Sequence, residues 1–167
     1  MVRVCPRHGN GRGGMKALLT DTGYLIALYG PGDDYRRVEK AKESFRIIFA
    51  QSQNVLVLTW PVLYETLNTK LSKRMDVVER IENEWRKLRA RNQLLFIDDQ
   101  PFREISLSEW QNEIRRSGHY RPLSLVDRVL RNVILSSSLK IEALLTFNVP
   151  DFADICGKRN IEIIPGA

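Results

Sequence analysis

The stretch Leu18–Gly30, LLTDTGYLIALYG, decides how the chain is read. Residues 17–20, ALLT, are a short apolar run with the length of a buried strand. Residues 22–29 are a second apolar run, and they follow at once with helical character. One acid, Asp21, separates the two. A strand passing into a helix through an acid has two explanations. The acid caps the helix, as aspartate does well, or it holds a cation at the strand end.

The pattern then repeats. Helix is expected over 34–50, strand over NVLVLT (54–59), and helix from Pro61, suited to a first turn, to Leu71. Residues 75–91 place Val77, Val78, Ile81, Trp85 and Leu88 at helical spacing. LLFI (94–97) reads as a third strand. Helices are expected over 101–117 and 123–139, a fourth strand at ALLTF (143–147) and a fifth at IEII (161–164). Strands alternating with helices imply an α/β three-layer sandwich, its mostly parallel central sheet flanked by helices on both faces.

Length and charge set the outer bounds. The chain has 167 residues, 43% of them hydrophobic, which suits one domain with a real core. Residues 1–14 are rich in Gly and Arg and read as a flexible basic leader before a single domain over 15–167, with Met15 as an alternative start. The net charge is +6, and Arg3, Arg7 and Arg12 of the leader supply half of it. A basic surface attracts RNA and DNA, but this excess is a weak argument on its own. No stretch is apolar enough to span a bilayer and no signal peptide is legible, so a cytoplasmic protein is expected. Cys5 and Cys156 do not make a disulfide framework.

In a parallel sheet the ligand site lies beyond the carboxyl ends of the strands. Asp21 follows the first strand, Glu65 sits in the helix after the second, and Asp98 and Asp99 follow the third. Asn148 and Asp151 follow the fourth, and Asp127 comes from the helix leading into it. Asp127 shares an apolar stripe with Leu123, Leu130 and Ile134, where a bare carboxylate is costly. It needs either a cation or a salt bridge, for which Arg121 or Arg128 is at hand. Asp151 can also cap a helix. Asp33, Asp34, Asp98 and Asp99 read as ordinary turn acids. Converging carboxylates repel one another, and an oxygen-only set favours a hard ion, Mg²⁺ or Mn²⁺. Such an ion can activate water and stabilise charge on a phosphate.

Other chemistries fit less well. His8 and His119 have no partner at zinc-ligand spacing. GNGRGG lacks the preceding strand and the following Lys-Ser/Thr of a phosphate loop. Phosphoaspartyl hydrolases need a second Asp two residues after the first, and Gly23 stands there. Receiver domains need an acid pair at the first strand, where only Asp21 stands. Trp60, Trp85 and Trp110 read as core or interface residues, and RKLRAR (86–91) as a solvated helix face, with an RNA contact as the lesser alternative.

Four motifs in order carry a resemblance. LLTDTGYLIAL, LTWPVLYETLN, PLSLVDRVL and LLTFNVPDF resemble the sequence blocks of PIN-domain ribonucleases, particularly the toxins of toxin–antitoxin pairs, from about Met15 to Pro165. The resemblance implies a PIN-like fold and metal-dependent cleavage of single-stranded or structured RNA with Mg²⁺ or Mn²⁺. It implies Asp21, Glu65 and Asp127 as metal ligands and catalytic acids, with Asp151 as the fourth carboxylate. Many members have an acid where this chain has Asn148, which stands as a possible neutral ligand. Thr146 would orient a water or a carboxylate. A small antitoxin and a homodimer are also implied. The alternative is a catalytically degenerate PIN-like module that binds RNA or a protein without cutting.

Overall fold

The computed structural model describes residues 14–30, 34–115 and 123–165. Residues 1–13 of the leader, including Cys5 and His8, lie outside the described residues, as do Asp33, His119 and Arg121. Within them, β1 (Lys16–Thr20), β2 (Asn54–Leu58), β3 (Leu94–Phe96), β4 (Ile141–Leu145) and β5 (Glu162–Ile164) form one sheet. Its order is β3-β2-β1-β4-β5, and every pairing is parallel. The helices are α1 (Thr22–Tyr29), α2 (Tyr35–Phe49), α3 (Trp60–Leu67), α4 (Met75–Ala90), α5 (Gln100–Arg115), α6 (Leu125–Leu135) and α7 (Val149–Arg159).

All five residues of β2 are buried, as are the last four of β1. Such unbroken apolar runs belong to strands covered on both faces. The chain starts at the centre of the sheet, builds outward through β2 and β3, then returns to the other side of β1 for β4 and β5. The strand order therefore reverses between β1 and β4, and a crevice opens at their carboxyl ends. The backbone Asp21 N–H donates to Leu145 O at 3.1 Å and closes the base of that crevice.

Polar groups secure the opposite edge. Gln93 is 1% exposed, and its Nε2 donates to Gln51 O at 2.9 Å and Asn54 O at 3.2 Å. This ties the α2–β2 connection to the start of β3. Cys156 is a buried free thiol.

Three expectations are corrected. The predicted helix over 123–139 runs only from Leu125 to Leu135, because Ser136 and Ser138 bond locally at 2.7 Å instead of continuing it. The predicted helix to Leu71 ends at Leu67 and gives way to a 3-10 turn, Lys70–Lys73. Of the two roles expected of Trp60, core or interface, the core is excluded, since it is 57% exposed. Trp85, half-buried, does join the packing, donating to the Tyr29 hydroxyl at 3.1 Å and meeting Phe96 edge-on.

Leu19, fully buried at the middle of the central strand, tests this arrangement. Leu19→Ala should lower unfolding free energy by about 2–5 kcal/mol in a urea titration, with the m-value unchanged. A loss under about 1 kcal/mol would contradict a central, double-covered β1.

Candidate active site

Asp21 lies immediately beyond β1 and is 6% exposed. Its Oδ1 accepts from the Tyr24 backbone at 2.7 Å, which caps α1. Its Oδ2 accepts from the Thr146 hydroxyl at 2.5 Å. Thr146 lies just beyond β4, so this bond spans the crevice where the strand order reverses. The Thr146 oxygen in turn accepts from the Asn148 backbone at 2.8 Å. Thr146 thus orients a carboxylate, one of its two expected tasks.

The other acids are set by their own helices. The Thr22 hydroxyl donates to Glu65 Oε2 at 2.5 Å, linking α1 to α3. Ser124 caps α6: its Oγ accepts from the Asp127 backbone at 3.0 Å and donates to Asp127 Oδ2 at 2.8 Å. This is a reciprocal cap written in the sequence as Ser124-Leu-Val-Asp127. Asn148 is the capping residue of α7, with Asp151 in its first turn, so Asp151 is not the cap that spacing predicted. Asn148 Nδ2 donates to Asp151 Oδ2 at 2.7 Å. Arg131 of α6 fastens α7 below this point, donating to Asp151 O and pairing with Asp154 at 2.6 Å.

The proposed salt bridge from Asp127 to Arg128 does not form. Arg128, buried, is turned away to Glu113 of α5, with contacts of 3.0 and 2.6 Å. The third-strand acids serve the scaffold. Asp98 accepts from the Gln100 backbone at 3.2 Å, and buried Asp99 accepts from the Trp60 backbone at 2.6 Å while pairing with Arg103 at 3.0 Å. Asp34 caps α2.

The acids influence one another electrostatically. Burial raises the Asp21 carboxyl to about 6, against the hydrogen bonds from Thr146 and Tyr24, and the charges of Asp127 and Glu65 add to the rise. Asp127 is also raised, by burial first and then by Asp151 and Glu65. Asp21, Glu65, Asp127 and Asp151 therefore share one electrostatic neighbourhood.

This set suits a hard cation. Its donors are all oxygen, and positive charge would relieve the repulsion. A Cβ at Gly23 would stand 3.6 Å from Asp21 Oδ2, so glycine leaves that side of the carboxylate uncovered. Among the described residues no three acids already converge as a coordinating group. Mg²⁺ is commonly held by only one or two carboxylates with water completing the shell, so the arrangement remains suitable.

Spacing alone did not reveal Thr22 or Arg131, whose partners are remote in the chain. Ser124 carried a readable signal, the S-x-x-D cap.

The comparisons bear on the fold. No family model matches the chain, and no curated protein sequence does. The crystal structure of VapBC2 from Rickettsia felis bound to a DNA fragment from their promoter is similar in fold, with a TM-score of 0.53 and 15% identity. The match covers 88% of this chain and 96% of that one. It supports the PIN-like architecture that the motifs imply. No helix of the described residues is long and apolar enough to cross a membrane.

The raised Asp21 carboxyl has a consequence for stability without divalent ions. The group holds its proton to about pH 6 when folded, against 3.8 ordinarily. Between those values the folded state binds more protons, so stability falls as pH rises and stays lower above pH 6. The gap corresponds to about 3 kcal/mol. Asp21→Asn keeps the cap to Tyr24 and removes the charge. In EDTA it should melt higher than the parent at pH 8 and show little slope between pH 4 and 6. A variant melting below the parent at pH 8 would contradict a charge-strained Asp21.

Proposed function

We propose that this protein is a divalent-metal-dependent ribonuclease of the PIN type, acting as the toxin of a toxin–antitoxin pair. The observation that carries the reading is Asp21. It is buried at the β1–β4 crevice, held by Thr146, and exposed to the charges of Asp127 and Glu65. A carboxylate strained in this way is a functional-site signature. The four-motif resemblance supplies the reaction class, and the fold likeness to VapBC2 agrees with it.

Bound Mg²⁺ or Mn²⁺ would supply water activation and stabilise charge developing on the phosphodiester. Asp21 and Asp127 are assigned as its principal holders, with Glu65 and Asp151 completing the anionic wall. The chain's own residues do the positioning. Thr146 and the Tyr24 backbone fix the Asp21 oxygens, so its carboxylate cannot rotate away from the crevice. Thr22 holds Glu65, and Ser124 holds Asp127. Asn148 commits its amide nitrogen to Asp151, which supports reading Asp151 as the fourth carboxylate and Asn148 as its support. An antitoxin partner rests on the motif resemblance together with the likeness to VapBC2, and a homodimer on the resemblance alone.

Purified protein incubated with mixed single-stranded RNA should cleave it with Mg²⁺ or Mn²⁺ and stop with excess EDTA. Asp21→Asn and Asp127→Asn should each abolish cleavage. Equal cleavage by these variants would assign the activity to a contaminant. No cleavage, together with no carboxylate-dependent Mn²⁺ binding, would replace the nuclease with an inert binding module.

Thr146→Val offers a finer measure. It removes one donor while keeping shape, and outer-shell partners of this kind are worth about 10–100-fold in metal affinity or activity. Calorimetric Mn²⁺ titration should show that loss. Unchanged affinity would limit Thr146 to a structural role.

A further inference from the structure

Three arginines on helices beside the acids are committed to carboxylates: Arg103 to Asp99, Arg128 to Glu113 and Arg131 to Asp154. Arg37, in the first turns of α2, is placed differently. Its guanidinium carbon lies 5.7 Å from the centre of the Phe147 ring. Phe147 follows Thr146 at the carboxyl edge of β4, and its ring stacks on Tyr24 with centroids 5.9 Å apart. Tyr24, through its backbone N–H, and Thr146 donate to the Asp21 carboxylate. The cation is therefore held over the ring of the residue that follows Thr146 in the chain, and its ion pair is with Asp34 rather than with the crevice acids.

Among the described residues its one ion pair is with Asp34, at 3.4 Å, and the two side chains are 61% and 54% exposed. Exposed pairs of this geometry are weak and screened by salt. The guanidinium N–H groups lie in the plane of the fork, and it is Nε that faces Asp34, on a side chain that is mostly exposed. A planar fork of donors beside an anionic centre suits a phosphate, which the acids themselves would repel.

We infer that Arg37, seated on Phe147, is a phosphate-binding residue for the polynucleotide strand entering the crevice. This rests on the ribonuclease reading. Phe147 fixes the guanidinium by cation–π attraction. A phosphate flanking the scissile bond then replaces Asp34 as its partner. The repulsion between RNA backbone and acid cluster is countered at the point of entry, one phosphate away from the chemistry.

The test is binding of a fluorescein-labelled single-stranded RNA, followed by anisotropy against salt concentration. An Asp127→Asn background prevents cleavage. In it, Arg37→Gln, Arg37→Lys and Arg91→Gln are compared. Arg91 caps the end of α4, ahead of β3 and so at the opposite edge of the sheet, and removing it changes net charge equally. Arg37→Gln should weaken binding about tenfold at low salt, and lower the slope of log affinity on log salt by about 0.7. Arg37→Lys should restore the slope, because it keeps the charge. Arg91→Gln should change neither quantity. Melting curves establish that each variant is folded, as expected for exposed positions.

If Arg37→Gln and Arg91→Gln behave alike while the background binds RNA, the Arg37 assignment is overturned and the ribonuclease reading stands. If Arg37→Lys fails to restore the slope, charge at this position is not what binds. If the background binds no RNA at low salt, the assignment falls, and the cleavage assay on the parent judges the ribonuclease reading separately.

Discussion

A single hydrogen bond, from Thr146 to Asp21, sits where the sheet changes direction, and the site is organised around it. It joins residues 125 positions apart, at the ends of adjacent parallel strands. The β1–β4 pairing brings them together, and the bond lets a carboxylate survive there. Burial of a bare carboxylate costs several kcal/mol. Two donors recover part of that cost, yet the carboxyl remains raised to about 6. The centre of the fold thus carries strain that a cation would discharge. Stability given up at one buried charge is the common signature of a site built for chemistry.

The surrounding acids show a shared design. Each is held by a short local or neighbouring contact: Glu65 by Thr22, Asp127 by Ser124, Asp151 by Asn148. None of these holders is a cation. Among the described residues Arg103, Arg128 and Arg131 pair with other carboxylates, and Arg128 is drawn across to Glu113 although it adjoins Asp127 in sequence. A guanidinium placed among the acids would neutralise them and close the crevice. Neutral donors orient Asp21, Glu65 and Asp127, an arrangement that suits a divalent ion.

The outer helices serve this arrangement indirectly. Asp99 binds the first backbone amide of α3 and so anchors the helix carrying Glu65. Arg131 ties α6 to α7, the two helices that carry Asp127 and Asp151. The overall architecture is shared with VapBC2 at 15% identity, which shows how few side chains the fold itself demands. Function lives in the placement of particular residues on that frame.

The sequence by itself determined the alternation of strands and helices, the parallel sheet, and the position of Asp21 at a strand end. These follow from local periodicity and from apolar runs such as NVLVL, which only a doubly covered strand tolerates. It also placed Asp127 among inward residues, because helical spacing is a local property. Local pattern was less able to end elements: two serines, Ser136 and Ser138, stopped α6 early by bonding to one another, and Asn148 rather than Asp151 took the cap position of α7. Only the tertiary structure decided what each acid touches. The bonds of Thr146 to Asp21 and Thr22 to Glu65, the pairing of Arg128 with Glu113, and the seat of Arg37 on Phe147 all join residues from different elements. Strand order and helix packing set those distances, and neither is encoded in the spacing of neighbouring residues.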